Sequence, residues 1–395
     1  MKKIFALIST ITVLYFGVEA RVSAQDHSHD SSQVHHIQDA DDEIAHEMDK
    51  HHTAGEKEQD YGDVIMHHIS DDYVFQIFGS LHFPLPVIIY EKGSGFDIFN
   101  SNQLLVQDEN HLSRGKYYYH HGKLVIPTLD ANGHVQHDEE GHVIGKSEAR
   151  LGDLITGNEN VFYNFSITKN VFGLLLSVAL LLMMFFSVSK AYKKNPNGAP
   201  KGFQGMMEII IMFVKNEIAK PFIGAKHEKF LPYLLTIFFF IWINNVLGLV
   251  PFFPGSANVT GNIAITFFLA MGSLIMVFIN GNKHFWGHIL NPPGMPLPVK
   301  LLLVPIEFIG IFTKPFSLMI RLFANITAGH IIILSIIGIT FIVQSVAVGV
   351  LTSLFSVVML VLEMLVAAIQ AYIFTLLTAQ MIGGAVEEVH HDEHH

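Results

Sequence analysis

Apolar residues are distributed along this chain in two regimes. Before about residue 165 they come in short β-branched or aromatic clusters, set between polar stretches; after Asn170 they gather into long runs. The long runs are Val171–Val188, about Phe230–Phe252, Ile263–Ile279, about Val299–Ile342 and Ser345–Gly383. A helix needs about 20 apolar residues to cross a bilayer, so the pattern predicts five transmembrane helices. The last two runs exceed that length and predict a long, strongly tilted hairpin turning near Val343. Met206–Lys220 is amphipathic, with Lys215 and Lys220, and suits a helix lying on the cytoplasmic surface. Lysines follow the first run at Lys190, Lys193 and Lys194. The turn at Pro251 and Pro254 is uncharged, and the stretch Gly281–Pro298, with Lys283 and His284, reads as an inside loop. This alternation predicts a multi-pass protein with the amino end out and the carboxyl end cytoplasmic. With a signal peptide at residues 1–24, the expected location is the bacterial inner (cytoplasmic) membrane, the N-terminal region periplasmic. His284 and His288 read as ordinary loop residues.

The N-terminal part predicts several segments. Residues 1–24 read as a signal peptide: Lys2 and Lys3, an apolar Ile4–Val18, then Val22-Ser-Ala24 as a small-residue cleavage site. Residues 25–72 are acidic and crowded with histidine, from His27 and His29 to His67 and His68, and read as disordered. Such tracts can hold zinc, copper or nickel weakly, but no pair has the spacing of a closed structural site, so a solvated linker is the reading preferred over a metal buffer. Residues 73–165 predict a small antiparallel β-rich region. Its strands are Tyr73–Phe78, Pro86–Tyr90, Phe96–Phe99, Lys123–Ile126 and Val161–Phe165, with a turn at Ala131-Asn-Gly133. Residues 166–386 form the membrane domain, and 387–395 a His/acid tail. The fold class is therefore an all-α polytopic membrane protein behind a periplasmic β-rich and disordered extension.

Composition agrees. Half of the residues are hydrophobic and 15% are charged, against about 25% charged in a typical soluble domain. The chain has no cysteine, which excludes disulfides and cysteine-based metal sites or nucleophiles. The net charge of −11 lies outside the apolar runs, and no basic stripe supports nucleic-acid binding.

From Leu301 to Val386 the formally charged residues are Glu307, Lys314, Arg321 and Glu363. Arg321 is the deepest cation, roughly 30 Å of helix from either end of its run at ~1.5 Å per residue, beyond the reach of a ~6 Å side chain. Burying a guanidinium there costs at least ~2.5–3.5 kcal/mol, and it cannot shed its proton. A counter-charge or a water-lined cavity is implied. Steps of three and four from Arg321 put Glu307, Gly310, Lys314, Ser317, Ala324, Asn325 and Ala328 on one polar or small-residue face. His330 points to a different side. On the last helix Glu363, Ala367 and Gln370 share a face, and the hairpin places Glu363 and Gln370 at about the depth of Arg321.

Ser317-Leu-Met-Ile-Arg321-Leu-Phe-Ala-Asn325-Ile-Thr-Ala-Gly-His330, with Ile369-Gln370-Ala-Tyr-Ile-Phe374, resembles the a subunit of the rotary F-type ATP synthase. The resemblance covers roughly residues 166–386. It implies a non-catalytic stator subunit with no ATP site and no cofactor on this chain. The translocated ion is H+ by default, with Na+ the alternative. The implied partners are a rotor ring of c subunits, b-type peripheral stalk subunits and the lipid bilayer. Arg321 would stand opposite the rotor carboxylates, between two offset half-channels. His330, Glu363 and Gln370 would line the external one; Glu307, Ser317 and Asn325 the internal one, with Lys314 near its mouth. Many family members carry the acid at the position of His330 and the histidine at that of Glu363; this sequence has them exchanged. Asn244 and Asn245 read equally as channel lining or as interhelical hydrogen-bonding residues.

Two rivals remain. A secondary transporter could use Arg321 for an anionic substrate but should show internal repeats and broken helices. A metal exporter should carry His/Asp ligand pairs in its membrane helices. Neither feature is present in the sequence.

Overall fold

The computed structural model describes residues 71–387, apart from 79–80, 107–111, 121–122, 131–133, 139–142, 150–152, 154–159, 195, 197, 251–256, 293–295 and 344. The signal-peptide reading, most of the His-rich segment, the turn at 131–133, the Pro251–Pro254 turn and residues 388–395 of the tail lie outside them. The described residues fall into two compact units. One holds those up to Lys169 together with Ile331–Met359; the other holds Asn170–Val250, Pro254–His330 and those from Leu360 onward.

In the first unit, β1 (Val74–Phe78) pairs with β2 (Leu81–Pro84). A seven-stranded sheet follows, in the order β4-β3-β9-β8-β7-β6-β5. Its strands are β3 (Pro86–Glu91), β4 (Gly95–Asn100), β5 (Leu112–Ser113), β6 (Tyr117–His120), β7 (Lys123–Pro127), β8 (Gly145–Glu148) and β9 (Val161–Asn164). A short helix, α1 (Asn102–Leu105), follows β4. The strand period of two decides which side chains go inside. Val87 and Ile89 point into a core with Phe99, Leu104, Tyr117 and Phe162, while Ile88 and Tyr90 point outward. One expectation is corrected. β8 pairs with β9 in parallel, so the sheet is mixed rather than antiparallel; the stretch between the two strands is long enough for the chain to reverse before returning. The short strands β2, β5, β6 and β8 escape the sequence pattern because a partner supplies their order, not an apolar run.

Glu91 is buried among the strands, and its carboxylate receives Lys146 Nζ at 2.6 Å and Lys116 Nζ at 2.9 Å. The hydrogen bond from Lys146 chiefly, with Lys116 beside it, holds the Glu91 carboxyl down at about 2. A depressed carboxyl stabilises the fold above the ordinary glutamate range and loses that contribution as pH falls from about 4.5 towards 2. Glu91→Gln is expected to cost ~1–2 kcal/mol, the lysines being partly solvated. The measurement is hydrogen exchange at pH 7, with faster exchange in residues 86–91 and 145–148 of the full chain. Unchanged protection there would show the cluster to be energetically idle. At the two ends of this region Thr168 Oγ1 donates to Asp71 at 2.7 Å and the Lys169 amide to the Asp72 carbonyl at 2.7 Å. Asn164 donates to Tyr73 and Tyr119 to Asp72.

The membrane part is helical: α2 (Lys169–Lys194), α3 (Phe203–Phe213), α4 (Lys220–Ile223), α5 (His227–Leu249), α6 (Ile263–Asn280), α7 (Lys283–Leu290), α8 (Leu297–Val343) and α9 (Val346–Val386). Five segments are long and apolar enough to cross a membrane: Lys169–Lys194, Phe203–Leu249, Ile263–Asn280, Pro298–Thr340 and Val346–Val386. Within Phe203–Leu249, a π-helical stretch Val214–Ala219 and a 3-10 turn at Gly224–Lys226 divide α3 and α4 from α5. Gly224 takes φ +70, a backbone state glycine reaches without strain, and the chain turns there into α5. α5 alone is ~35 Å long at ~1.5 Å per residue, enough to cross.

The second unit packs around Val214, Ile218, Phe230, Leu234, Phe239, Ile241, Phe374 and Ile382. Gly281–Pro298, read as a loop, contains α7. Its Ile289 is buried with Leu274 of α6 and Ile311 of α8, and Phe285 and Trp286 join them. That order comes from neighbours, because eight residues are too few to hold a helix alone. The last carbonyls of α9, orphaned by geometry, are met from elsewhere. The Asn282 amide donates to Ala385 O at 2.8 Å and its side chain to Val386 O at 2.9 Å. Lys226 reaches Val386 O at 3.3 Å. In the first unit, the hydroxyls of Thr340 and Thr352 meet at 2.6 Å across the hairpin near its turn.

Candidate functional site

α8 presents two contrasting faces. Ile311, Leu318, Leu322, Ile326 and Gly329, at helical spacing, are buried. The opposite face carries Lys314, Ser317, Ala324, Asn325 and Ala328, all exposed, with Arg321 half-buried among them. This is the small and polar stripe anticipated from the sequence, and among the described residues no helix covers it. Among the described residues neither Arg321 nor Lys314 forms a salt bridge. The intramembrane cation therefore faces outward through a surface of small residues, which a second helix could approach closely. Glu307, toward the start of the same helix, lies 3.6 Å from His288 Nδ1 on α7. His288 is thus no ordinary loop residue. The signal for it was weak, a histidine at helical spacing from His284 and Phe285.

A second polar cluster lies on the inward side, built from α5, α8, α9 and the segment before α6. Glu363 on α9 is buried, and its carboxyl group packs directly on Gly329 of α8; a Cβ at Gly329 would overlap it. Among the described residues, neither carboxyl oxygen of Glu363 has a hydrogen-bond partner. His330 follows Gly329 and reaches α5, where its Nε2 would lie 3.7 Å from a Cβ on Gly248. One turn earlier on α5, Asn245 is 1% exposed; it donates to Ala367 O of α9 at 3.4 Å and accepts from Thr260 Oγ1 at 2.7 Å. Of its two readings, Asn245 makes the hydrogen bonds between α5, α9 and the segment before α6. Asn244 instead donates to Phe240 O of its own helix at 2.7 Å. Gln370, also buried, lies on the Glu363 face two turns along.

The register places these groups differently from the sequence expectation. With Gly329 opposite Glu363, the antiparallel helices set Arg321 level with Ala371 and Gln370, not with Glu363. Glu363 stands eight residues, or ~12 Å of helix rise, nearer the hairpin turn. The structure thus sets the Glu363 carboxyl against Gly329, the residue before His330, turns His330 Nε2 toward Gly248 of α5, and places Gln370 at the level of Arg321. It keeps Lys314, Ser317 and Asn325 on the opposite, open face. Gly329, Gly248 and Thr260 were missed by sequence reading. Gly329 makes room for the Glu363 carboxyl, and a glycine announces such a role only once its neighbour is known. Among the described residues no group of three or more His, Asp or Glu side chains could hold a metal ion.

Comparison with known proteins adds an independent line. Residues 171–383 match the family model described as ATP synthase A chain, and residues 64–154 match one described as a domain of unknown function. The ATP synthase subunit a of Chloroherpeton thalassium is 42% identical over 240 residues, 59% of this chain and 71% of the relative. That of Chlorobium phaeobacteroides (strain DSM 266) is 38% identical over 301 residues, covering 69% and 86%. That of an Anaeromyxobacter species is 30% identical over 361 residues, covering 88% and 76%. A family match across more than half of the chain, and relatives aligned over most of their own length, agree with the five segments long and apolar enough to cross a membrane. This chain belongs to the ATP synthase A chain family.

Proposed function

We propose that this chain is the stator a subunit of a bacterial F-type ATP synthase, passing protons between the membrane and a ring of c subunits. The observation that carries the reading is Arg321: half-buried, without an acidic partner among the described residues, on an open face of small residues. A guanidinium so placed attracts a carboxylate brought by another helix and holds it ionised while it is near. Away from Arg321, a rotor carboxylate facing lipid must be neutral, by protonation or ion binding. Arg321 cannot relay protons. It separates two aqueous half-channels and blocks a through-leak of cations between them.

The inward cluster supplies the external half-channel. Glu363, seated against Gly329, and His330, the next residue on α8, are the exchanging groups, and Asn245 with Thr260 supports the wall between α5 and α9. Gln370 carries the path on to the level of Arg321. The open face supplies the internal half-channel, along Asn325 and Ser317 toward Lys314 and Glu307, with His288 beside Glu307. Each elementary charge moved gains ~2.3 kcal/mol per 100 mV, the source of torque on the ring. The transported ion is H+; Na+ would be selected mainly by the rotor carboxylate site.

The test is mild-detergent purification of the tagged full chain from its native membrane. It is expected to bring out a ring of small two-helix subunits, b-type stalk subunits and the catalytic head. Recovery as a lone transporter-like monomer would reject the reading. So would a structure of the complex in which the α8 face at Arg321 points to lipid.

A further inference from the structure

We propose that the outer face of the β3–β4–β9 end of the sheet is a membrane-docking surface, lying against the lipid headgroup and upper acyl region where α2 enters the bilayer. Register fixes which side chains share that face. Ile88 lies opposite Ile98, Tyr90 opposite Phe96, and Tyr90 opposite Tyr163; Phe165 follows two residues on, its amide bonded to Ile88 O. The face thus consists of Ile88, Tyr90, Phe96, Ile98, Tyr163 and Phe165, with no charged side chain among them. Tyr90 packs on Phe96 with ring centroids 4.8 Å apart and on Tyr163 at 6.1 Å, so the surface is a joined aromatic sheet and not scattered residues.

The exposure of this face is the anomaly. Phe96 is 67% exposed, Ile98 66% and Phe165 59%, though the opposite face of the same strands already forms the core. A sheet with one buried face ordinarily turns polar side chains to water on the other. A contiguous apolar patch instead marks an interface. What occupies it follows from position along the chain. Phe165 is four residues before Lys169, the first residue of α2, so it lies at most about 13 Å of chain from the start of a membrane helix. Exposed apolar side chains resume at Val171 and Leu175 on that helix. Tyrosine and other amphipathic aromatics are enriched at the membrane–water boundary, where an apolar ring and a polar tip are both satisfied. The absence of charge suits insertion among acyl chains and headgroups. The inference needs only that α2 enters the bilayer near Lys169, and it stands or falls independently of the proton path.

The chain has no cysteine of its own, so Phe96→Cys and Ile98→Cys give unique sites for nitroxide labels, with Lys123→Cys on β7 as the reference. The full chain would be reconstituted in vesicles of phosphatidylethanolamine and phosphatidylglycerol. Labels at 96 and 98 are expected to collide several-fold more with oxygen than with a water-soluble nickel chelate, and the label at 123 the reverse. A label at 96 or 98 that behaves like the one at 123 overturns the proposal, because the face is then in water. Immobilisation with shielding from both reagents also overturns it, because a second copy or another protein then covers the face. A measurement without substitution guards against misfolding of the variants. Photoactivatable lipid with its reactive group near the headgroup should label peptides containing Tyr90, Tyr163 or Phe165 in the unaltered chain, and absence of label there overturns the proposal.

Discussion

Arg321→Ala is expected to abolish ATP-driven proton pumping and ion-coupled ATP synthesis in membrane vesicles, a loss on the order of 100-fold or more. The physical reason lies in the surroundings of the guanidinium. It has no carboxylate partner within the described residues, so alanine leaves no buried anion stranded in this chain, and α8 should fold unchanged. What disappears is the fixed positive charge that favours the ionised form of an approaching rotor carboxylate and repels cations crossing between half-channels. Passive proton leak through the assembled enzyme should rise as coupled transport falls. Arg321→Lys keeps a charge but substitutes a compact ammonium able to lose its proton on burial, and should recover little. Quenching of a pH-sensitive dye on ATP addition reads the first effect, and decay of an imposed pH gradient the second. Near-normal coupled pumping in Arg321→Ala would sink the assignment.

The second large effect is expected at Glu363. Glu363→Gln preserves size and hydrogen-bonding shape but removes the exchangeable proton, and should slow proton flux by roughly 10-fold or more at a clamped driving force. The pH dependence of flux should also flatten, which a purely structural glutamate would not produce. Gly329→Ala is the companion test. A methyl group there must displace the Glu363 carboxyl, the mobile end of a flexible side chain, so stability should change little while flux falls several-fold. His330→Leu should slow flux as well. Parent-like flux in both Glu363→Gln and His330→Leu would remove the pair from the path. The double exchange Glu363→His with His330→Glu should restore more flux than either single change. A relay depends on having both groups adjacent, not on which helix bears which.

The membrane helices were legible because their cause is local. A run of about 20 apolar residues crosses a bilayer whatever packs beside it, and every backbone group is satisfied within the helix. The core strands β3, β4, β7 and β9 were legible for the related reason that alternation is written into Pro86–Glu91 and its partners. β8, the parallel pairing with β9 and α7 were not, since each owes its order to a neighbour brought from elsewhere in the chain. The same division runs through the site. Arg321 and its stripe could be counted off one helix, but Gly329 against Glu363 and Asn245 bonded to Thr260 and Ala367 could not.

What the sequence by itself determined is a set of helices, one charge too deep to reach water, and the face of α8 on which it stands. These follow from helical periodicity and the cost of an ion in hydrocarbon, properties of one segment in its solvent. Only the tertiary structure decided that, among the described residues, this face stays open, that Glu363 stands nearer the turn than Arg321, and that Gly329 seats the Glu363 carboxyl. Those depend on the register of one helix against another, which is set by side-chain packing across the pair and is not encoded in either helix alone.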